Sequence, residues 1–131
     1  MTATTKTTKR IDELHFEHEL WMGESKFFKD ELKIYQNRLD EIASKNTAQD
    51  VLKSIEHFQN QFVIQKDQLS IINHLINEHE QWLTKYAKSH PIAIDQVEFA
   101  DHANLRDKIE TFKKLFGELK VEFKKFLSTW M

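Results

Sequence analysis

From about residue 10 onward, apolar residues recur in alternating three- and four-residue steps. Such spacing marks helices that bury one seam against a neighbour. The first seam reads Ile11, Leu14, His18, Trp21, Ser25, Phe28, Leu32, Tyr35, Leu39 and Ile42, with His18 and Ser25 as polar interruptions, and it stops at Lys45-Asn46. Thr47 with Asp50 forms an N-cap box that opens a second helix. Its seam is Val51, Ile55, Phe58, Phe62, Gln65, Leu69, Ile72, Ile76, His79, Leu83 and Tyr86, interrupted by Gln65 and His79. Ser89-His90-Pro91 closes it, because proline cannot continue a helix and turns the preceding residue away from one. Asp95 with Glu98 is a second box-like start, leading into Glu98, His102, Leu105, Ile109, Phe112, Phe116, Leu119, Phe123, Phe126 and Trp130.

Short connections force neighbouring helices to run antiparallel. The pattern therefore predicts an all-α, up-down-up antiparallel bundle of three long helices. Counting outward from the two connections places Phe58 level with Tyr35 and Phe123, and Ile72 level with Trp21 and Ile109, so three separate seams agree on one arrangement. Residues 1–9 (MTATTKTTK) are polar, Thr-rich and aperiodic. They read as a disordered N-terminal tail, with the first helix starting between Thr8 and Asp12 and residues 10–131 forming a single helical-bundle domain. A second apolar stripe runs along the first helix (Phe16, Leu20, Phe27, Ile34) and along the second (Ile64, Ile71, Leu75, Trp82). A helix apolar on two sides is buried on two sides. Either the three-helix core is wide enough to take these stripes or a second chain covers them. The second alternative is preferred, so a homodimer or another protein partner is expected.

Composition narrows the function classes. A chain of 131 residues suits one domain. Two Gly and one Pro leave almost nothing for tight turns, which argues against a sheet protein and excludes a phosphate-cradling loop. The net charge is −2 with both signs interspersed and no basic stripe, so no nucleic-acid partner is expected. No apolar run reaches membrane-spanning length, and no secretory signal pattern opens the chain. Cysteine is absent, which removes disulfide and thiolate chemistry. The expected location is cytoplasmic. Without a Cys nucleophile or a glycine elbow, the protein is not expected to be an enzyme.

Seven histidines change this picture by their placement. The register puts His79 and His102 in one layer with Leu14. His18 sits one layer further in, His15 lies beside it on the first helix, and Glu98 precedes His102 by one turn. Helical side chains lean toward their own N-terminus, so His18 and His79 lean toward each other and His102 leans toward Glu98. His18, His79 and His102, with His15 or Glu98, then converge where the first helix begins, and Glu17, Glu19 and Glu78 are near enough to orient them. Imidazoles and a carboxylate projecting from facing helices are how bundles hold zinc or iron. The preferred reading is plainer: hydrogen-bonded or solvated histidines near a bundle end, with Glu98 occupied in its capping box. No HExxH and no paired ExxH motif supports the metal.

The leading expectation is thus a non-enzymatic bundle acting through protein–protein contacts, with no cofactor. Its alternative is a zinc- or iron-binding bundle. Two further sets are read as structural. Glu17, Glu24 and Glu31 recur at heptad spacing and read as flanking surface positions, since no Lys or Arg lies in an obvious partner stripe. Phe58, Phe62, Phe112, Phe116, Phe123, Phe126 and Trp130 read as core rather than as a ligand pocket.

Overall fold

The computed structural model describes the backbone of residues 2–89 and 95–130, and the side chains of 13–89 and 102–130. Three helices account for nearly all of it: α1 (Thr2–Lys45), α2 (Gln49–Ser89) and α3 (Asp95–Trp130). They pack up-down-up as an all-α antiparallel bundle, with no strand among the described residues. Helix α1 begins at Thr2, upstream of the start that the hydrophobic pattern predicts. Residues 2–9 hold no Gly or Pro, so nothing in their chemistry breaks the helix, although they add nothing to the apolar seam. The side chains of the tail expected at 1–9 lie outside the described residues.

The turn between α1 and α2 is stopped and started by local hydrogen bonds. Asn46 Nδ2 donates to the Ile42 carbonyl, one of the four at the end of α1, at 2.9 Å, and Ser44 Oγ bonds back to the Glu41 carbonyl at 2.8 Å. The first backbone bond of α2 runs from the Leu52 N–H to the Ala48 carbonyl at 3.0 Å. Ala48, rather than Thr47, therefore holds the N-cap position, one residue beyond the sequence expectation. Asp50 sits in the first turn, where the helix dipole favours an anion. Helix α2 ends at Ser89, as the Pro91 signal predicts, and α3 opens at Asp95.

Two compact units divide the chain, and each draws a segment from all three helices: residues 1–25 with 71–110, and residues 26–70 with 111–131. In the second unit Phe123 is fully buried at the centre of an aromatic packing. Its ring lies 5.4 Å from Tyr35, 5.2 Å from Phe58 and 5.0 Å from Phe62, all at steep angles that set ring edges against ring faces. Phe28 meets Phe112 and Phe116 at 5.4 and 5.5 Å in the same unit. On its flank Lys120 pairs with Glu31 at 3.1 Å and lies 5.4 Å from the Phe116 ring, so an ion pair and a cation–π contact share one ammonium. Trp130, expected in the seam, is instead 40% exposed. It stands in the last turn of α3, past Phe126, and lines a shallow cleft with Glu41, Ile42 and Lys45.

The second stripes are not absorbed into the core. Phe16 is 59% exposed and Phe27 61%, and Leu20, Ile34, Ile64, Ile71 and Trp82 are exposed as well. Of the stripe residues, only Leu75 is half-buried, so the three-helix core takes in little of either stripe.

One polar residue in the aromatic unit stands out. Gln65 is buried, and its Oε1 has no hydrogen-bond partner among the described residues. An unsatisfied buried carbonyl costs about 1–3 kcal/mol. Gln65→Met keeps the volume and removes that oxygen. It should stabilise the protein by about 1 kcal/mol, read as a higher denaturant midpoint at unchanged slope. A lower midpoint would show that the amide is satisfied.

A candidate metal centre of three histidines

The core of the first unit is built from Leu14, His18, Trp21 and Ser25 of α1, Ile72, Ile76, His79 and Leu83 of α2, and His102, Leu105 and Ile109 of α3. His18 and His102 occupy seam positions and are buried at 2% and 0% exposure, while His79 is half-buried. The ring centroids lie 4.9 Å apart for His18 and His79, 5.2 Å for His18 and His102, and 5.5 Å for His79 and His102. One ring nitrogen from each falls within 4.8 Å of the others. Among the described residues, no carboxylate or further histidine joins this group. Each imidazole comes from a different helix, so the heptad register alone brings them together.

Carboxylates hold two of the three from behind. Glu80 Oε1 accepts a hydrogen bond from His18 Nδ1 at 2.5 Å. Glu17 Oε1 accepts one from His102 Nε2 at 2.6 Å. Arg106 fixes Glu17 in turn, with Nη2 to Oε1 at 2.5 Å and Nε to Oε2 at 3.3 Å, a two-point contact that suits a guanidinium. Burial alone would raise the pKa of Glu17, but the hydrogen bonds from Arg106 and His102 outweigh it and hold the group below its ordinary value. Glu80 is likewise pulled below its ordinary value, against burial, by His18 and His15. Both are therefore carboxylates that can only accept.

That fixes the protons. His18 carries a hydrogen on Nδ1, and its Nε2 faces His79 Nδ1 at 2.9 Å. His102 carries its hydrogen on Nε2, and its buried Nδ1 has no hydrogen-bond partner among the described residues. Burial lowers the pKa of His102, and Glu17 restores only part of the loss, so the ring stays neutral near neutral pH and keeps its lone pair. Trp21 stacks on His102 at 4.8 Å and an interplanar angle of 28°, which sets the plane of that ring. Next to Trp21 on the α1 seam, buried Ser25 donates to Asn73 Oδ1, giving the seam's other polar interruption a partner of its own.

Of the five residues that the sequence reading gathers at this site, the structure brings together His18, His79 and His102. His15 is not among them: it is exposed, bound to Glu80 at 2.7 Å and 3.6 Å from Glu19. The side chain of Glu98 lies outside the described residues, and the carboxylate that meets His102 is Glu17. Glu80 and Arg106 escape the sequence reading. Arg106 also corrects the statement that the Glu17, Glu24, Glu31 row has no basic partner, since Glu17 meets Arg106 and Glu31 meets Lys120. The signal was available: Arg106, Lys113 and Lys120 recur on α3 at the same heptad spacing as the glutamates on α1.

No protein-family model matches the chain, and neither a curated protein nor a solved structure resembles it significantly.

These groups set the acid response of the metal-free protein. His102 lies below the ordinary histidine value of 6.5, and Glu17 and Glu80 below the ordinary carboxyl value of 4.5. In each case the unfolded chain takes up a proton more readily than the folded one. The stabilisation is complete above the unfolded value and is lost as pH falls through the folded one. His102, faced by Glu17, His18, His79 and Arg106, begins this loss below about pH 6.5, and the carboxylates continue it below about 4.5. The melting temperature of chelator-treated protein should therefore fall between pH 7.5 and pH 5.5. An unchanged or rising value would contradict the proton assignment.

Proposed function

We propose that the protein binds one divalent metal ion, zinc, through His18, His79 and His102. The observation that carries this reading is the convergence of three imidazole nitrogens from three helices, two of them on rings whose far nitrogens are held by carboxylates. A carboxylate or carbonyl behind a ligating histidine fixes its tautomer and raises its basicity. Zinc suits three neutral nitrogens at about 2.0–2.1 Å with a fourth position left over. In a tetrahedral site at that bond length, ligand nitrogens stand roughly 3.3 Å apart. His18 Nε2 and His79 Nδ1 are already 2.9 Å apart, and all three nitrogens lie within 4.8 Å of one another. Non-haem iron is the poorer fit, because its open sites add a carboxylate to the imidazoles, and both nearby carboxylates are engaged behind the rings.

A second reading is supported by a separate feature. Leu20, Phe27 and Ile34 repeat at heptad spacing on α1 and stand exposed. A patch of this kind can pair with itself about a two-fold axis, and the protein then acts as a homodimer whose contacts carry its role.

Two measurements test these readings separately. Purified protein equilibrated with zinc and desalted should retain about one ion per chain. His79→Ala should lose it, and His15→Ala should keep it. Zinc at 100 times Kd should add about 2.7 kcal/mol of stability, reversed by chelator. Absence of retained zinc, with melting unchanged by zinc or chelator, overturns the metal reading. For the second reading, sedimentation should give a dimer that Phe27→Glu converts to monomer without loss of helicity. A monomeric parent chain overturns it.

A further inference from the structure

We infer that the centre is an open one, whose fourth coordination position takes an exogenous small organic anion from the cleft beside His79. This rests on the metal reading above. Three protein nitrogens leave a tetrahedral ion one position short. Structural zinc sites close with four protein ligands, whereas sites with three keep water or another ligand in the fourth place. Among the described residues no fourth side chain joins the group.

The approach to that position follows from burial. His18 and His102 are enclosed, and His79 is the partly exposed member of the three. His79 also lines a cleft of about 320 Å³ between α2 and α3, together with Leu75, Trp82, Leu105, Asn104, Lys108 and Glu78. A volume of this size holds a small molecule. Its walls divide by chemistry. Leu75, Leu105 and Trp82 offer an apolar surface, and the Trp82 ring is steadied by stacking on Tyr86 at 4.4 Å and 15°. Lys108 and Asn104 offer an ammonium and an amide beside it, and the one carboxylate of the lining, Glu78, is turned to His74 at 3.4 Å. A ligand that satisfies both sets has an anionic oxygen head for the metal and Lys108 and a flat apolar body for Trp82. Aromatic carboxylates are of this class.

Cobalt(II) substituted for zinc makes the fourth position visible, because its visible absorption depends on coordination number and ligand type. The full chain loaded with cobalt is titrated with azide, which needs only the metal, and with benzoate, which needs the cleft as well. Both should change the spectrum saturably. Lys108→Glu should weaken benzoate about tenfold, and Trp82→Ala should weaken benzoate about tenfold while leaving azide unchanged, with cobalt stoichiometry the same in both variants. Cobalt bound one per chain with a spectrum indifferent to both anions overturns the open centre and leaves the metal reading standing. A response to azide but none to benzoate, or benzoate affinity untouched by both variants, overturns the cleft. Failure to bind cobalt or zinc at all overturns the metal reading itself.

Discussion

A heptad seam carries whatever residue it holds into the core, whatever that residue's chemistry. The first unit depends on this constraint. Because His18 and His102 stand in phase with Leu14, Trp21 and Leu105, their imidazoles are buried as completely as the leucines. A buried ring nitrogen left without a partner costs about 1–3 kcal/mol, so each needs an acceptor or donor brought in from the side. Glu80 and Glu17, just off the seam, provide it. A half-buried carboxylate then asks for a cation, and Arg106 answers for Glu17. Seam phase thus propagates outward, from imidazole to carboxylate to guanidinium, until the charge reaches solvent.

The two units spend the same backbone pattern on different contents. In one, the positions that point inward hold Phe58, Phe62, Phe112, Phe116 and Phe123, whose rings need no partner beyond each other. In the other, equivalent seam positions hold histidines that require Glu17, Glu80 and Arg106 to be tolerable. Apolar residues at those places would remove the need for the whole network, and buried charged networks are in general no more stabilising than the apolar packing that replaces them. Stability therefore does not account for the cluster. Places where a sequence breaks its own core pattern and then compensates for it are where function is to be sought.

Much of this was legible in the chain. Among the described residues, every buried apolar side chain is a seam position read from spacing alone, from Leu14 to Phe126, and so are the buried polar residues His18, Ser25, Gln65 and His102. The histidine trio followed from counting outward from two connections. What spacing does not encode is the choice made by flanking residues. His15 is next to Leu14 in sequence but turned about 100° from it around the helix, so it reaches Glu80 from outside the core rather than the ring cluster. Pairing Glu17 with Arg106 depends on which flank of α3 lies toward α1, and on two long side chains adopting compatible rotamers. Neither is settled by hydrophobic period. Trp130 illustrates another limit: the periodicity continues to the end of α3, but a residue in the final turn has fewer neighbours to bury it.

The arrangement of protons carries the chemical meaning of the site. Glu80 and Glu17 hold hydrogens on His18 Nδ1 and His102 Nε2, which leaves His18 Nε2 and His102 Nδ1 to meet other groups. His79 Nδ1 lies 2.9 Å from His18 Nε2, while His102 Nδ1 has no hydrogen-bond partner among the described residues. Under the proposed zinc reading, His18, His79 and His102 would hold the ion, with the His79 hydrogen on its other ring nitrogen. Nitrogen donors held this close favour zinc and its neighbours, and they disfavour magnesium or calcium, which demand oxygen. The carboxylates are thus more than satisfiers of buried rings: by holding hydrogens on His18 Nδ1 and His102 Nε2, they set which ring nitrogens are left to meet another group, which is the feature on which the proposed zinc reading rests.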